Sequence, residues 1–335
     1  MKLPSGLKRA AASVLLRSRA LRLHGSLLER GRAILLLYHR INDDGDPFFP
    51  SLPRRAFAAQ LDYVAGNYRV EPLDQVVEWL AAGAPGRPRL AITIDDGYPD
   101  TVDVALPELE LRRLPATLFL STAPPETGAP LWIDRMRWLL KHTRARTVEA
   151  PWLGLERLPL DGEPARLEAL ALIVGRLKAL TPAGIERTVS ALEPALGVQG
   201  PPLRVLDWAG VRRLAGGAVS LGAHTHRHFI LSHLTDTELE SEIATSVELI
   251  ERRTGVLPTS FAYPNGEAAD YDARALAVLR RLRFRSALTT RHALARPAHD
   301  PLQLPRIPTR APSIALFAAR LAGLSPAGPA QVQPA

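Results

Sequence analysis

The 335-residue chain contains no cysteine. That excludes disulfides, thiolate metal sites and cysteine nucleophiles together, so any metal must be held by imidazole and carboxylate. The chain also has no apolar run near the roughly 18 residues needed to cross a bilayer. Residues 10–28 look apolar, but Arg17, Arg19 and Arg22 interrupt them. A cleavable secretory signal is not expected either. The best apolar run, Ala10 to Leu16, is short and leads straight into those arginines. No internal repeat is visible. With 46% hydrophobic and 23% charged residues, wholesale disorder is excluded, and the length suits one large domain or two small ones.

Little charge is left once the first thirty residues are set aside. The net charge is +8, which invites a nucleic-acid reading. Residues 1–30 hold Lys2, Lys8, Arg9, Arg17, Arg19, Arg22 and Arg30 against Glu29, a net +6 that leaves +2 for the rest. The body is therefore nearly neutral, and no nucleic-acid partner is expected. The leader, residues 1–32, is compatible with a basic amphipathic helix. It suits peripheral contact with an anionic membrane, or equally a solvated or partner-docked helix.

From residue 33 strands alternate with helices. Ala33–Tyr38, Leu90–Ile94 and Ala116–Leu120 are continuous apolar runs of strand length, as in strands buried on both faces of a parallel sheet. Further strands are expected at 218–222, 260–263, 284–288 and 303–307. Helices are expected at 54–66, 73–82, 101–112, 236–254 and 271–282. Residues 134–200 read as helical with Pro and Gly breaks and no strand, so about 140–205 forms a helical insertion. The main domain then spans 33–310. Residues 311–335 are a short helix and a Pro/Ala-rich tail. Repeated strand–helix units imply a parallel sheet, open or closed into a barrel.

In either form, sites gather where strands end at their C-terminal edge. The residues just past the apolar strands are His39, Asp95-Asp96, His224 to His228, and Tyr263-Pro-Asn-Gly266. Two adjacent carboxylates leaving a buried strand repel unless a cation or proton intervenes; a strand-end Asp-Gly turn is the bland alternative. Four of the nine histidines fall in 224–233. His224 and His228, four apart, have a metal-binding spacing, and spacing alone leaves His226 open. His233 reads as a bystander. The single His39 gains weight from its place at the same edge, where its pKa suits acid or base work. Tyr263–Gly266 can present a backbone N–H to an oxyanion, or be an ordinary turn. Tyr98 and Tyr263, beside these motifs, are candidate substrate contacts.

Together these residues resemble the polysaccharide deacetylase family (NodB-homology, carbohydrate esterase family 4). Thr93-Ile-Asp-Asp-Gly97 resembles its T-F-D-D-G motif, with Ile94 for Phe. His224-Thr-His-Arg-His228 fits H-[S/T]-x-x-H, and Phe261–Gly266 resembles a third motif. Tyr38-His-Arg-Ile41 and Leu304-Pro-Arg-Ile307 resemble the branch that deacetylates poly-β-1,6-N-acetylglucosamine and related exopolysaccharides, in which the motif order is permuted. The resemblance implies an α/β fold, a distorted (β/α) barrel of about seven strands. It implies a divalent metal ion, zinc before cobalt or nickel, on Asp96, His224 and His228. Asp95 would be the general base and His39 the general acid, the role a C-terminal L-x-H histidine has in unpermuted members. The Asn265 N–H would hold the oxyanion, and Arg306 would orient Asp95. The sequence departs from the pattern at Ser260, where many members carry arginine, and it lacks a clear C-terminal L-x-H.

The expected function is metal-dependent removal of N-acetyl groups from a sugar of a polysaccharide or its lipid-linked precursor. The competing readings are a metal amidase or O-acetyl esterase, and a catalytically silent glycan-binding assembly protein. Without a secretory signal, the expected location is cytoplasmic, peripheral at the inner membrane face.

Overall fold

The run Ala33–Tyr38 forms strand β1, with all six residues buried. In the computed structural model, which describes residues 31–198, 203–311 and 313–322, nine further strands follow. These are β2 (Arg69–Val70), β3 (Arg89–Asp96), β4 (Ala116–Leu120), β5 (Thr147–Ala150), β6 (Leu155–Pro159), β7 (Val219–Ala223), β8 (Ser260–Ala262), β9 (Ser286–His292) and β10 (Leu304–Pro308). The main sheet runs β1-β10-β9-β8-β7-β4-β3-β2, and β1 also pairs with β3. That last pairing closes seven parallel strands into a barrel, with Ala33–Tyr38 in register with Arg89–Ile94. Two-residue β2 hangs on the start of β3, below the point where β4 joins it. All seven overlap the stretches expected to be strands, three of them as continuous apolar runs, and β2 is too short to leave such a signal.

Helices connect the strands on the outside. In chain order they are α1 (Arg54–Asn67), α2 (Leu73–Ala81), α3 (Leu106–Arg112), α4 (Ala123–Thr127), α5 (Trp132–His142), α6 (Glu163–Leu177), α7 (Pro182–Leu196), α8 (Trp208–Ala215), α9 (Asp236–Thr254), α10 (Ala273–Arg281) and α11 (Ile314–Leu321). The longest, α9, shows why such segments start and stop where they do. The Thr235 hydroxyl accepts from the Glu238 N–H, the Glu238 carboxylate accepts from the Thr235 N–H, and Gly255 closes the far end at φ 75°. The first pair satisfies donors that a helix start leaves orphaned, and the glycine adopts the left-handed turn that ends it.

Period-two alternation sorts the strand residues into two cores. Leu35, Ala91, Phe119, Ala262, Leu288 and Leu304 cluster with the apolar face of α2. One residue from nearly every barrel strand meets there, so this is the lumen, plugged at its N-terminal end by α2. The alternate residues, among them Ile34, Ile92, Leu118 and Phe261, pack outward against the helices. Gly222 makes room inside: a Cβ there would lie 2.5 Å from the Phe119 ring.

Between β4 and β7 the chain makes a large excursion. The expectation of a purely helical insertion is corrected here, because β5 and β6 form an antiparallel hairpin beside α5, α6 and α7. Its strands are four and five residues long with charged exposed positions, too short to show a clear period. Helix α5 packs on both α6 and α7, and Arg135 bonds Glu186 and Glu193 of α7. In the C-terminal segment, α11 packs against α1. The basic leader over residues 1–30 and the tail from 323 lie outside the described residues. No described helix is long and apolar enough to cross a membrane.

Candidate active site

The lumen changes character toward the strand C-termini. On β3 the inward series Ala91, Thr93, Asp95 passes from apolar to ionised, and on β10 Leu304 is followed by Arg306. Arg306 is 0% exposed and Asp95 1%. The guanidinium grips the carboxylate with both forks, Nη1 to Oδ1 and Nη2 to Oδ2, each at 2.7 Å. Its Nε donates to the Thr289 carbonyl and Nη1 also to Thr93 Oγ1. A charge in a dry lumen survives only when paired and fully hydrogen-bonded, and Arg306 meets that condition. Burial pushes the Asp95 carboxyl up, but Arg306, with His224 behind it, outweighs burial and holds it below the usual carboxylate range. The structure thus brings Arg306 onto Asp95, where the family resemblance puts it.

Asp96 points elsewhere because the backbone turns sharply after Asp95. Asp96 has φ 76° and Gly97 φ 87°, and the Gly97 N–H bonds back to the Asp95 carbonyl. A Cβ on Gly97 would stand 2.5 Å from Leu120, so this turn needs glycine. Asp96 Oδ1 then lies 3.3 Å from His224 Nε2 and 3.3 Å from His228 Nε2. The three donor atoms lie within 4.8 Å of one another. Four of the seven non-glycine residues with positive φ among the described residues are Asp96, Thr225, His228 and Asn265, all at this edge. Strain of this kind persists where a functional geometry needs it.

This triad fits a divalent ion. Asp96 Oδ1 is buried and accepts no hydrogen bond, an expensive state unless a cation takes its lone pairs. The His224 ring is set for a ligand role, since Nδ1 is 2.7 Å from the Ala262 carbonyl. That contact fixes the proton on Nδ1 and leaves the Nε2 lone pair free. Two imidazoles and one carboxylate leave further positions open. Burial pushes the Asp96 carboxyl up, but the two imidazoles that face it outweigh burial and hold it well below its ordinary value. His226, left open by spacing, faces away. Its Nδ1 meets Thr122 Oγ1, and its N–H is taken by Glu242 of α9. His233, exposed in a short 3-10 turn, is not part of this constellation.

His39 follows β1, whose Tyr38 is in register with Ile94 of β3. It makes no hydrogen bond to any described residue. Burial dominates its titration and brings the pKa down to about 4, although Asp96 and Asp95 pull the other way. The imidazole is therefore neutral at pH 7. Asn265 is held at φ 61° by contacts on three sides. Its Nδ2 donates to Asp270, Lys178 donates to its Oδ1, and Thr290 Oγ1 donates to its carbonyl. Its own N–H donates to no described group.

A cleft of about 360 Å³ opens beside Asp96, walled by Arg40, Tyr98, Leu131, Asp134 and Leu203. Tyr98 stands in this wall, as a substrate contact would. Tyr263 does not, which corrects the expectation for that residue. It is 0% exposed, stacks on Tyr271 at 4.0 Å and donates its hydroxyl to the Leu302 carbonyl. Ala262 faces the lumen, so its neighbour must face the helix layer. The insertion supplies residues the sequence reading missed. Trp132 Nε1 donates to the His228 carbonyl, Asp134 accepts from Tyr98 and Arg137, and Lys178 reaches Asn265.

Residues 171–287 match the polysaccharide deacetylase family. That stretch includes His224, His228 and Asn265; the two aspartates, His39 and Arg306 lie outside it. The fold is similar to that of the Streptococcus pyogenes deacetylase PplD in complex with acetate. The two chains are 17% identical with a TM-score of 0.56, covering 83% of this chain and 92% of that one. IcaB from Ammonifex degensii is similar at 18% identity and a TM-score of 0.54, over 86% of this chain and 97% of that one. The BpsB deacetylase domain from Bordetella bronchiseptica is similar at 16% identity and a TM-score of 0.51, over 83% and 96%. No curated protein matches the chain.

Proposed function

The chain carries a polysaccharide deacetylase domain, and from that premise we propose that it hydrolyses the N-acetyl group of an N-acetylated sugar, in a polysaccharide or its lipid-linked precursor. The observation that carries this reading is the juxtaposition of an orphaned, triad-forming Asp96 with an Arg306-clamped Asp95 at one barrel mouth. The Streptococcus pyogenes deacetylase is described in complex with acetate, the product this reading requires.

Asp96, His224 and His228 would hold a divalent ion, and zinc suits a donor set of two imidazoles and a carboxylate. When bound, such an ion lowers the pKa of water and polarises a carbonyl. The rest is the work of the chain. Asp95 Oδ2, 4.0 Å from His224 Nε2, takes the proton of the attacking water. Arg306 keeps that carboxylate ionised and stops it rotating. The tetrahedral oxyanion receives the unpaired Asn265 N–H. An amide nitrogen leaves only when protonated, and His39 delivers the proton. Because His39 starts neutral, it must take up a proton before it can deliver one, and the proton that Asp95 removes from the water balances that transfer. Acetate and a free amine result.

The test is acetate release from N-acetylglucosamine oligomers by zinc-loaded protein. Release should stop with a chelator and return with added metal. His224→Ala should lower metal affinity at least about tenfold and remove activity with it, read by equilibrium dialysis. Release from O-acetyl esters alone would instead favour the esterase reading. His39→Asn should lower kcat about 10²–10⁴-fold with metal content unchanged. A His39→Asn protein with wild-type kcat would remove His39 from the mechanism.

A further inference from the structure

We propose that Asp100 is a positioning residue that aims His39 at the leaving nitrogen. The proposal rests on the deacetylase reading and adds to it a residue outside its motifs.

The His39 imidazole makes no hydrogen bond to any described residue, so its backbone must aim it. That backbone is held just downstream. The Leu52 N–H donates to the Arg40 carbonyl at 2.9 Å, and the Asn42 N–H donates to the Leu52 carbonyl at 3.1 Å. The donor between them, the Ile41 N–H, goes to Asp100 Oδ2 at 3.1 Å. The Asn42 side chain donates to the same oxygen, also at 3.1 Å. Asp100 lies shortly after Asp96 in the chain. One carboxylate therefore ties the segment leaving β3, with both site aspartates, to the segment leaving β1, with His39. Ile41 is 0% exposed and Asp100 9%, so little water competes for these bonds.

Asp100 does not do the work that its place in the chain favours. It stands at the cap of the π turn Thr101–Ala105 that leads into α3, where an aspartate ordinarily accepts from the N–H groups of its own helix. Its side chain makes no such bond. It turns instead to a segment 59 residues earlier in the chain. The arrangement is costly. Oδ1 is buried without a partner. Burial raises the carboxyl to about 6, although Arg40 and the two loop donors pull it down. A buried acid that leaves its own helix uncapped and one oxygen orphaned is kept for what the other oxygen holds. Holding matters here, since a catalytic group displaced by about 1 Å can lose about a hundredfold in rate.

The test has a turnover arm and a spectroscopic arm. The first compares two acetyl donors in zinc-loaded protein. N-acetylglucosamine oligomers need a protonated leaving nitrogen, whereas 4-nitrophenyl acetate releases a phenolate that needs no proton. The ratio of the two kcat values, oligomer over ester, reports the proton donor and does not depend on how much of a variant is folded. Asp100→Ser suits a helix start but is one bond too short for Ile41, and it should lower the ratio about ten- to a hundredfold. Asp100→Asn keeps an accepting oxygen and should restore the ratio. His39→Asn should lower it at least as far as Asp100→Ser, and adding Asp100→Ser to His39→Asn should lower it no further. A merely structural role for Asp100 would slow both substrates together. The second arm needs no turnover. In chelator-stripped protein, the His39 ring signal in nuclear magnetic resonance is identified by its absence from His39→Asn. It should shift or broaden in Asp100→Ser and keep its wild-type position in Asp100→Asn. An unchanged ratio in Asp100→Ser, a further fall in the double variant, or an unmoved His39 signal overturns the proposal. A moved signal with no acetate from any N-acetylated sugar keeps the tie between Asp100 and His39 and sinks the deacetylase reading. Acetate from the oligomers, with the ratio unchanged in Asp100→Ser, does the reverse.

Discussion

Replacing Asp95 by asparagine is expected to lower kcat for acetate release about a thousandfold while leaving one divalent ion bound per chain. The two adjacent aspartates face different partners because the backbone separates them. Asp95 continues the inward face of β3 and meets Arg306, whereas the left-handed turn at Asp96 and Gly97 swings the next carboxylate onto the two imidazoles. Asparagine keeps the size of Asp95 and one oxygen for the guanidinium, but it has no basic oxygen for a proton. None of the metal donors is touched. Asp96→Asn should behave oppositely and lose the ion first. The measurement is metal content by equilibrium dialysis beside kcat. Metal loss in Asp95→Asn, or activity within tenfold of wild type, would show that the roles are misassigned.

Arg306→Ala is expected to be the most damaging single change, costing about 3–5 kcal/mol of stability and most of the activity. The pair it breaks is buried on both sides, at 0% and 2% side-chain exposure. Truncation leaves the Asp95 charge in the lumen without a counter-ion. Burial then acts unopposed, the carboxyl is driven upward, and a protonated Asp95 is no base. The pH dependence follows from the native direction. Asp95 is held below its unfolded range, so the pair contributes fully above about pH 4 and is lost as pH falls through the native pKa. The stability gap between wild type and Arg306→Ala should therefore narrow in acid. Arg306→Lys should rescue it only in part, since an ammonium cannot reproduce the fork. Arg306→Met in the Asp95→Asn background should cost less than Arg306→Ala alone, because no charge is stranded. Urea denaturation of wild type, Arg306→Ala, Arg306→Lys, Asp95→Asn and the double variant at two pH values reads all of this; an Arg306 loss as large in the Asp95→Asn background as in wild type would argue against the pairing as the cause.

What could be read from the sequence follows physical range. Strands buried on both faces leave unbroken apolar runs, which made β1, β3 and β4 legible, while β7 to β10 were found as shorter stretches between helices; the rule that sites follow strand ends pointed to His39, Asp95, Asp96, His224, His228 and Asn265. The same period-two logic, applied one residue further, would have turned Tyr263 outward from the start. The contributions of the insertion were not legible. Nothing local marks Asp134, Arg137 or Lys178, because their meeting depends on how α5 and α6 dock some forty to ninety residues away from the motifs they touch. Spacing alone could not separate His226 from His228; the motif resemblance picks His228, and Glu242 and Thr122 claim His226 in the structure.

A closed ring of parallel strands has no first member. β1 sits between β10 and β3, so a gene that moved the β1 segment from one end of the chain to the other would keep every neighbour around the ring. The histidine it carries would arrive at the same mouth from either direction. Chain order and spatial order are thereby uncoupled, and evolution is free to shuffle the reading order of the catalytic groups without redesigning the site.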